Sequence, residues 1–102
     1  MRIVWLARAR HDRTAAIDHI ALDSPRAGLE QLDEIESQVE HLATYPAMGR
    51  VGRWRGTREL VVVRTPFIVV YRVRSKLRRI EIVRLMHGAQ QWLPGGRKSA
   101  AT

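Results

Sequence analysis

The chain has 102 residues, the size of one domain that can bury a modest hydrophobic core. It contains no cysteine, which excludes a disulfide framework, a thiolate metal site and a cysteine nucleophile. The formal net charge is +8, and residues 50–84 carry eleven Lys and Arg against two Glu, whereas residues 1–49 are mildly acidic. The basic half is expected to attract a polyanion, either a nucleic acid or an acidic protein segment, unless its arginines are merely solvated strand ends.

Neither a membrane span nor a secretory signal is expected. No apolar run approaches the roughly 20 residues that a membrane-spanning helix requires. The apolar stretch within residues 1–6 is also shorter than the core of about 7–15 residues in a signal peptide. The sequence therefore predicts a cytoplasmic protein.

The first half of the chain predicts a short strand at residues 2–6 and a helix at residues 7–22. Arg13 falls on the apolar face of that helix, where an apolar side chain would pack better. Ser24 and Pro25 are typical of a helix start, because serine caps free amides and proline needs no N–H at the first position.

The second helix is predicted at residues 25–43. Its expected buried stripe has spacings of 3, 3, 4 and 3 and consists of Leu29, Leu32, Ile35, Val39 and Leu42. Acidic residues cover its other faces, and the tight break at Ser24 joins the two helices into an antiparallel hairpin.

The second half of the chain predicts a glycine-rich and arginine-rich loop followed by three strands. The loop covers residues 47–56, and the strands cover residues 58–63, 67–73 and 79–86. A turn is expected at Thr65 and Pro66. In the middle strand, odd-numbered residues share one face of the sheet and even-numbered residues share the other.

This order of elements, β-α-α-β-β-β, predicts an α+β fold with an N-terminal strand, a helical hairpin and a three-stranded antiparallel meander. The hairpin should cover one face of a four-stranded, mainly antiparallel sheet, and the other face should carry the functional surface. Residues 1–93 are expected to form this single domain, and residues 94–102 a flexible tail.

Metal and nucleotide sites are not predicted. The four histidines lack the spacing of paired ligands, so no metal and no cofactor is expected. The stretch Gly49-Arg50-Val51-Gly52 lacks the Lys-Ser/Thr of a phosphate loop. This stretch is expected to be a flexible loop. The alternative is that the basic loop, with Arg50, Arg53 and Arg55 around Trp54, binds a nucleic-acid backbone.

A set of polar residues on the last three strands makes up the candidate functional surface. Cleavage of RNA by its own 2′-hydroxyl requires a general base, a general acid and cations that offset the charge on phosphorus. The alternative is that these side chains are structural and that the three tryptophans pack in the core or at its rim. The candidates are Arg58, Glu59, Tyr71, Arg72, Arg84, His87 and Trp92.

These motifs together resemble the RelE/ParE superfamily of toxins in type II toxin–antitoxin modules. The resemblance extends to Trp92 and rests on five stretches: Asp23-Ser24-Pro25-Arg26-Ala27, Tyr45-Pro46-Ala47-Met48-Gly49-Arg50, Arg58-Glu59-Leu60-Val61-Val62, Phe67-Ile68-Val69-Val70-Tyr71-Arg72-Val73 and Arg84-Leu85-Met86-His87-Gly88-Ala89. RelE-like nucleases have a catalytic arginine where this chain has Ile68, and a tyrosine where it has Gly88. The resemblance therefore implies the ParE-like branch, whose members inhibit DNA gyrase by binding.

The resemblance also implies partners. A cognate antitoxin, ParD-like or similar, would wrap the toxin with a flexible acidic segment that folds on binding. Operator DNA would be bound only through the toxin–antitoxin complex, in a module for plasmid stabilisation or growth arrest. The first alternative is a ribosome-dependent mRNA endonuclease that uses Arg58, Glu59, Arg84 and His87. The second is a module that binds its antitoxin but has lost toxicity.

Overall fold

The computed structural model describes residues 1–88, in which two helices cover one face of a five-stranded sheet. The tail predicted at residues 94–102 and Trp92 lie outside the described residues. The elements are β1 (Arg2–Trp5), α1 (Ala7–Asp23), α2 (Pro25–Glu40), β2 (Arg50–Val51), β3 (Arg58–Val61), β4 (Phe67–Arg74) and β5 (Arg79–His87), with 3₁₀ turns at His41–Ala43 and Ser75–Leu77.

The sheet confirms the predicted α+β class and its mainly antiparallel pairing. Its strand order is β1-β5-β4-β3-β2, in which β1 is parallel to β5 and all other neighbours are antiparallel. The predicted number of four strands is wrong, because β2 forms a short fifth strand at the edge, with Arg50 opposite Glu59. Two residues between glycines are too few to show the alternation that reveals a strand.

The helical hairpin forms as predicted, with one correction to its buried stripe. The Ser24 hydroxyl accepts a hydrogen bond from the Ala27 amide, and Pro25 occupies the first position of α2. Ile35 and Val39 are buried, but Leu29 is 68% exposed. The two helices instead approach each other at Gly28, where an added Cβ would lie 3.3 Å from the Cβ of Ala21. Because consecutive residues of a helix point about 100° apart, the side chain of Leu29 is turned away from this contact.

Arg13 fits the apolar face of α1 because it has an aromatic partner. Its guanidinium carbon lies 4.4 Å from the centre of the Trp5 ring, and one of its nitrogens is 3.8 Å from the Glu36 carboxylate. A guanidinium over a tryptophan ring is a favourable cation–π contact. The charged side chain therefore joins the end of β1 to both helices.

The central strand β4 is buried on both faces of the sheet. Phe67, Val69 and Tyr71 face the helices and belong to the main core. Ile68 and Val70 face the opposite side, hereafter the outer face, where they form a small apolar cluster with Met86, Val83 and Trp54. The predicted division of odd and even residues between the two faces is confirmed.

The phenol of Tyr71 fixes the loop that precedes β2. Its hydroxyl donates to the Pro46 carbonyl at 2.7 Å and accepts from the Gly49 amide at 2.9 Å. The approach is so close that a Cβ on Gly49 would lie 2.7 Å from the hydroxyl oxygen. Burial raises the pKa of Tyr71, although the Gly49 amide and Arg58 act in the opposite direction. The hydroxyl thus remains protonated and bound at both ends.

Side chains of α2 seal the edge of the sheet after β3. The Gln38 amide donates to the Val63 carbonyl at 3.0 Å and accepts from the Val63 amide at 2.9 Å, as a neighbouring strand would. Beside it, the Arg64 guanidinium donates two hydrogen bonds to the Glu34 carboxylate, at 2.8 and 2.9 Å. The edge is therefore blocked by side chains at Val63.

We expect the change Tyr71→Phe to lower the free energy of unfolding by about 1–3 kcal/mol, because it leaves two backbone groups without their partner. Urea denaturation measures the difference. Tyr45→Phe is the matched control, since Tyr45 is 64% exposed, and it should change stability by no more than about 0.5 kcal/mol. Equal effects of the two changes would contradict the structural role assigned to Tyr71.

The Glu34–Arg64 pair predicts a specific acid sensitivity. The hydrogen bonds from Arg64 and Gln38 lower the pKa of Glu34 from 4.5 to about 2. Because the pKa of Glu34 is lower in the folded state, the pair's contribution to the stability of the fold is fully present above pH 4.5 and is lost as the pH falls toward 2.

The melting temperature of the natural protein should therefore exceed that of Glu34→Gln by a constant margin above pH 5, and the margin should shrink between pH 4.5 and pH 2. Thermal unfolding followed by circular dichroism measures it. Glu40→Gln, at an exposed position at the end of α2, serves as the control. A margin that stays constant down to pH 2 would refute the assignment.

Candidate functional site

Arg58 and Glu59 are neighbours in the sequence but do not pair with each other. The Arg58 guanidinium donates to the Gly49 carbonyl at 2.7 Å. The Glu59 side chain, which is 2% exposed, accepts from the Arg50 guanidinium at 2.9 and 3.2 Å and from the Arg53 amide at 3.0 Å. The carboxylate thus fastens β2 and the basic loop to β3.

A second buried carboxylate, Glu81, holds the arginines at the other end of the outer face. It accepts from Arg72 at 2.9 Å and from Arg79 at 2.6 and 2.9 Å, while Arg74 lies 3.5 Å away. Hydrogen bonds from Arg72 and Arg79 keep the pKa of Glu81 below its ordinary value. Sequence reasoning missed this cluster, although Glu81 between Ile80 and Ile82 has the alternation that places it on the outer face, opposite Arg72.

Arg84 is held against α1 by a residue that the sequence did not single out. Its guanidinium binds both oxygens of the Asp12 carboxylate, at 2.7 and 3.2 Å, and the Leu85 amide donates to the same carboxylate at 3.0 Å. A β-bulge lies at this point, because Val70 is opposite Arg84 whereas Tyr71 is opposite Ile82. Asp12 therefore binds β5 just after the bulge, at residues that are beyond the pairing of β5 with β1.

His87 ends β5 beside a groove between the helices and the sheet. Its ring meets that of Phe67 edge-on, with the ring centres 5.8 Å apart. The groove has a volume of about 490 Å³. The side-chain oxygen of Gln31 lies buried in its wall and has no hydrogen-bond partner among residues 1–88. Its lining is mainly apolar and includes Ala16, Ile20, Phe67, Leu85, Arg84 and His87.

The residues of the nuclease hypothesis do not meet at one point. Glu59 and Arg84 flank Val70 on the two neighbouring strands, but Glu59 binds the basic loop and Arg84 binds α1. His87 lies opposite Phe67, three residues or about 10 Å further along β4. Ile68, at the position of the RelE-type arginine, is 7% exposed and packs against Val70 and Met86.

The basic loop is divided between structural contacts and exposed charge. Arg50 binds Glu59, and the Arg53 guanidinium lies 3.8 Å from the same carboxylate. Trp54 packs on the apolar cluster of the outer face, and Arg55 is exposed. Arg72 and the basic loop therefore share the outer face, while Tyr71 faces the core.

Two further properties concern residues 1–88 only. No group of His, Asp and Glu side chains in this part of the chain is arranged to hold a metal ion. Neither helix found there has the length and apolar character needed to cross a bilayer.

Comparisons with known proteins identify a family profile and relatives named as toxins. The profile described as "ParE toxin of type II toxin-antitoxin system, parDE" matches residues 3–92. The chain is 43% identical to Y4kP of Sinorhizobium fredii (strain NBRC 101917 / NGR234) over 93 residues, which are 89% of this chain and 92% of that protein. It is 37% identical to "Toxin RelE2" of Caulobacter vibrioides (strain ATCC 19089 / CIP 103742 / CB 15) over 89 residues, covering 87% and 97% of the two chains.

A solved structure agrees with these relatives. It is titled "Chromosomal ParDE TA system from P. aeruginosa", and one of its chains matches with a TM-score of 0.75 and 30% identity, over 85% of this chain and 95% of that one. With the family profile extending over most of the sequence, the chain belongs to the ParE toxin family of type II toxin–antitoxin systems.

Proposed function

We propose that this ParE-family toxin arrests growth by binding DNA gyrase and that it does not cleave RNA itself. The observation that carries the proposal is that the candidate catalytic side chains already form hydrogen bonds within the fold. Glu59, Tyr71 and Arg84 each bind backbone or side-chain groups of neighbouring elements. A toxin that acts by binding requires only a stable surface.

Chemistry of the outer face supports this choice over nuclease activity. Cleavage would need a base and an acid within hydrogen-bond reach of one substrate oxygen, with a cation beside the phosphorus. Ile68 supplies an aliphatic group at the expected cation position, and Glu59 is enclosed by arginines. Glu59 and Arg84, the carboxylate and the guanidinium that the hypothesis would place in such a site, are already bound to the basic loop and to Asp12.

A cognate antitoxin follows from membership of the family, and its proposed chemistry follows from the charge of the toxin. We expect a ParD-like partner whose flexible, acidic segment is attracted by the charge of the toxin, wraps its sheet and helices and folds as it binds. Specific recognition of operator DNA is assigned to the antitoxin within the complex. Both proteins would act in the cytoplasm, in a module that stabilises a plasmid or arrests growth.

The second candidate function, cleavage of mRNA on the ribosome, is favoured by one relative's name, "Toxin RelE2". It would use Arg58, Glu59, Arg84 and His87 after the ribosome rearranges them. This hypothesis makes His87 the proton donor or acceptor, so that its removal should reduce cleavage by about 10²–10⁴-fold.

Induction of the full chain without its antitoxin distinguishes the two functions. We expect growth arrest, relaxed or gyrase-cleaved plasmid DNA and intact transcripts, with arrest relieved by the co-expressed antitoxin. Plasmid topology and transcript ends are measured in the same culture. Transcripts cut inside coding regions with unchanged supercoiling would overturn the gyrase proposal, as would unaffected growth.

The variant His87→Gln sharpens this test, since it removes the imidazole ring and keeps a polar side chain. We expect it to arrest growth as the natural chain does, within about threefold in the inducer concentration that is required, because a binding toxin uses no proton transfer at this residue. His19→Gln, also on the groove, is the matched control. A loss of arrest for His87→Gln alone would support the nuclease.

A further inference from the structure

One corner of the outer face carries more positive charges than its single carboxylate can neutralise. The basic corner, as it is called here, consists of one carboxylate, Glu81, and six cationic side chains. They lie on β1, β4, β5 and the β4–β5 connection and are Arg2, Arg72, Arg74, Lys76, Arg78 and Arg79.

Three of these arginines form a row across adjacent strands. Arg79 on β5 is paired with Arg2 on β1 and with Arg74 on β4. Strands lie about 4.8 Å apart, so the row spans roughly 10 Å. Like charges directly opposite each other destabilise a sheet, and Glu81 binds Arg79 tightly and Arg74 only at 3.5 Å. Arg2 is exposed on β1, at the edge of the sheet.

Within the described part of the chain, Arg72 and Arg74 have hydrogen-bond donors that Glu81 does not use. A guanidinium carries five N–H groups, yet Arg72 gives Glu81 only its Nε, and Arg74 gives it one long contact. The side chains of Arg72 and Arg74 are 41% and 45% exposed. Glu81 thus holds the guanidinium groups in place at the surface while leaving their other nitrogens uncommitted, which reduces the entropy lost on binding an anion.

From this geometry we propose that the basic corner binds the phosphate backbone of duplex DNA, independently of its sequence. Among residues 1–88, the side chains that make up the corner include no aromatic ring, whereas single strands are held by stacking of their bases on aromatic rings. An acidic protein segment would gain affinity from apolar anchors, and the corner offers chiefly Leu77. A duplex hides its bases and displays only phosphates, which matches what the corner can contact.

The proposal is separate from inhibition of gyrase and from the antitoxin's recognition of its operator. It gives the toxin a sequence-independent contact with DNA, whichever enzyme is its target. The full chain is therefore tested by itself, and neither toxicity nor an antitoxin enters the measurement.

The test is fluorescence anisotropy of a 20-base-pair duplex titrated with the purified chain between 50 and 200 mM NaCl. In the variant Arg2→Gln/Arg74→Gln, neither replaced residue makes a short bond to Glu81, so that the fold is retained. We expect its affinity to fall by about tenfold and the slope of log K against log salt to become less negative by about 2. Circular dichroism verifies folding.

Arg10→Gln/Arg26→Gln on the helical hairpin is the matched control, because both residues are exposed and the net charge changes equally. It should leave the affinity within about twofold. Lys76→Gln/Arg78→Gln, in the β4–β5 connection, is a second test of the corner and should weaken binding as Arg2→Gln/Arg74→Gln does.

Three results would overturn the proposal. The first is absence of duplex binding, and the second is an equal loss in the corner and control variants, which would show a net-charge effect alone. The third is binding of single-stranded RNA or polyglutamate by the corner as tightly as the duplex, which would assign the surface to another polyanion.

Discussion

Two buried carboxylates allow an arginine-rich segment to form this sheet. Residues 50–84 contain eleven Lys and Arg and only Glu59 and Glu81 as counter-charges, and both glutamates are almost completely buried. Each binds arginines from different elements, so that Glu59 joins β2 and the basic loop to β3 and Glu81 joins β4 to β5. A carboxylate that lost its arginines would remain in the sheet without a counter-charge, which would destabilise the fold. These contacts therefore fix the arrangement of the strands, while the apolar core supplies the net stability.

The same contacts determine what the surface can do chemically. A general base needs a free lone pair toward the substrate, and a catalytic cation needs free donors beside it. Glu59 accepts from the basic loop, the Tyr71 hydroxyl is bound by two backbone groups, and Arg84 is held by Asp12. Side chains that are held in this way have no free group for proton transfer, so the surface above them can act only through its shape and charge. This is the physical reason to favour a toxin that binds its target.

Local patterns predicted most of the fold, and long-range pairing accounts for what they missed. Alternation in β4 gave both faces of the sheet correctly, and Ser24-Pro25 gave the start of α2. The partner of Arg84 could not be read from the sequence, because Asp12 is 72 residues away and nothing local connects them. The role of Glu59 was missed for a related reason, since its partners depend on the pairing of the two-residue strand β2.

The β-bulge in β5, opposite Val70 and Tyr71, determines which side chains of β5 lie on each face of the sheet. Ile82 and Leu85 both face the helices, although residues three apart in a regular strand face opposite sides. The extra residue in β5 makes this possible, and it allows Arg84 to reach Asp12 on α1. One cation is thereby removed from the middle of the outer face, where the apolar cluster lies. The remaining arginines are left at its two ends, around Glu59 and Glu81, so the charge pattern of the outer face follows from the packing of the core.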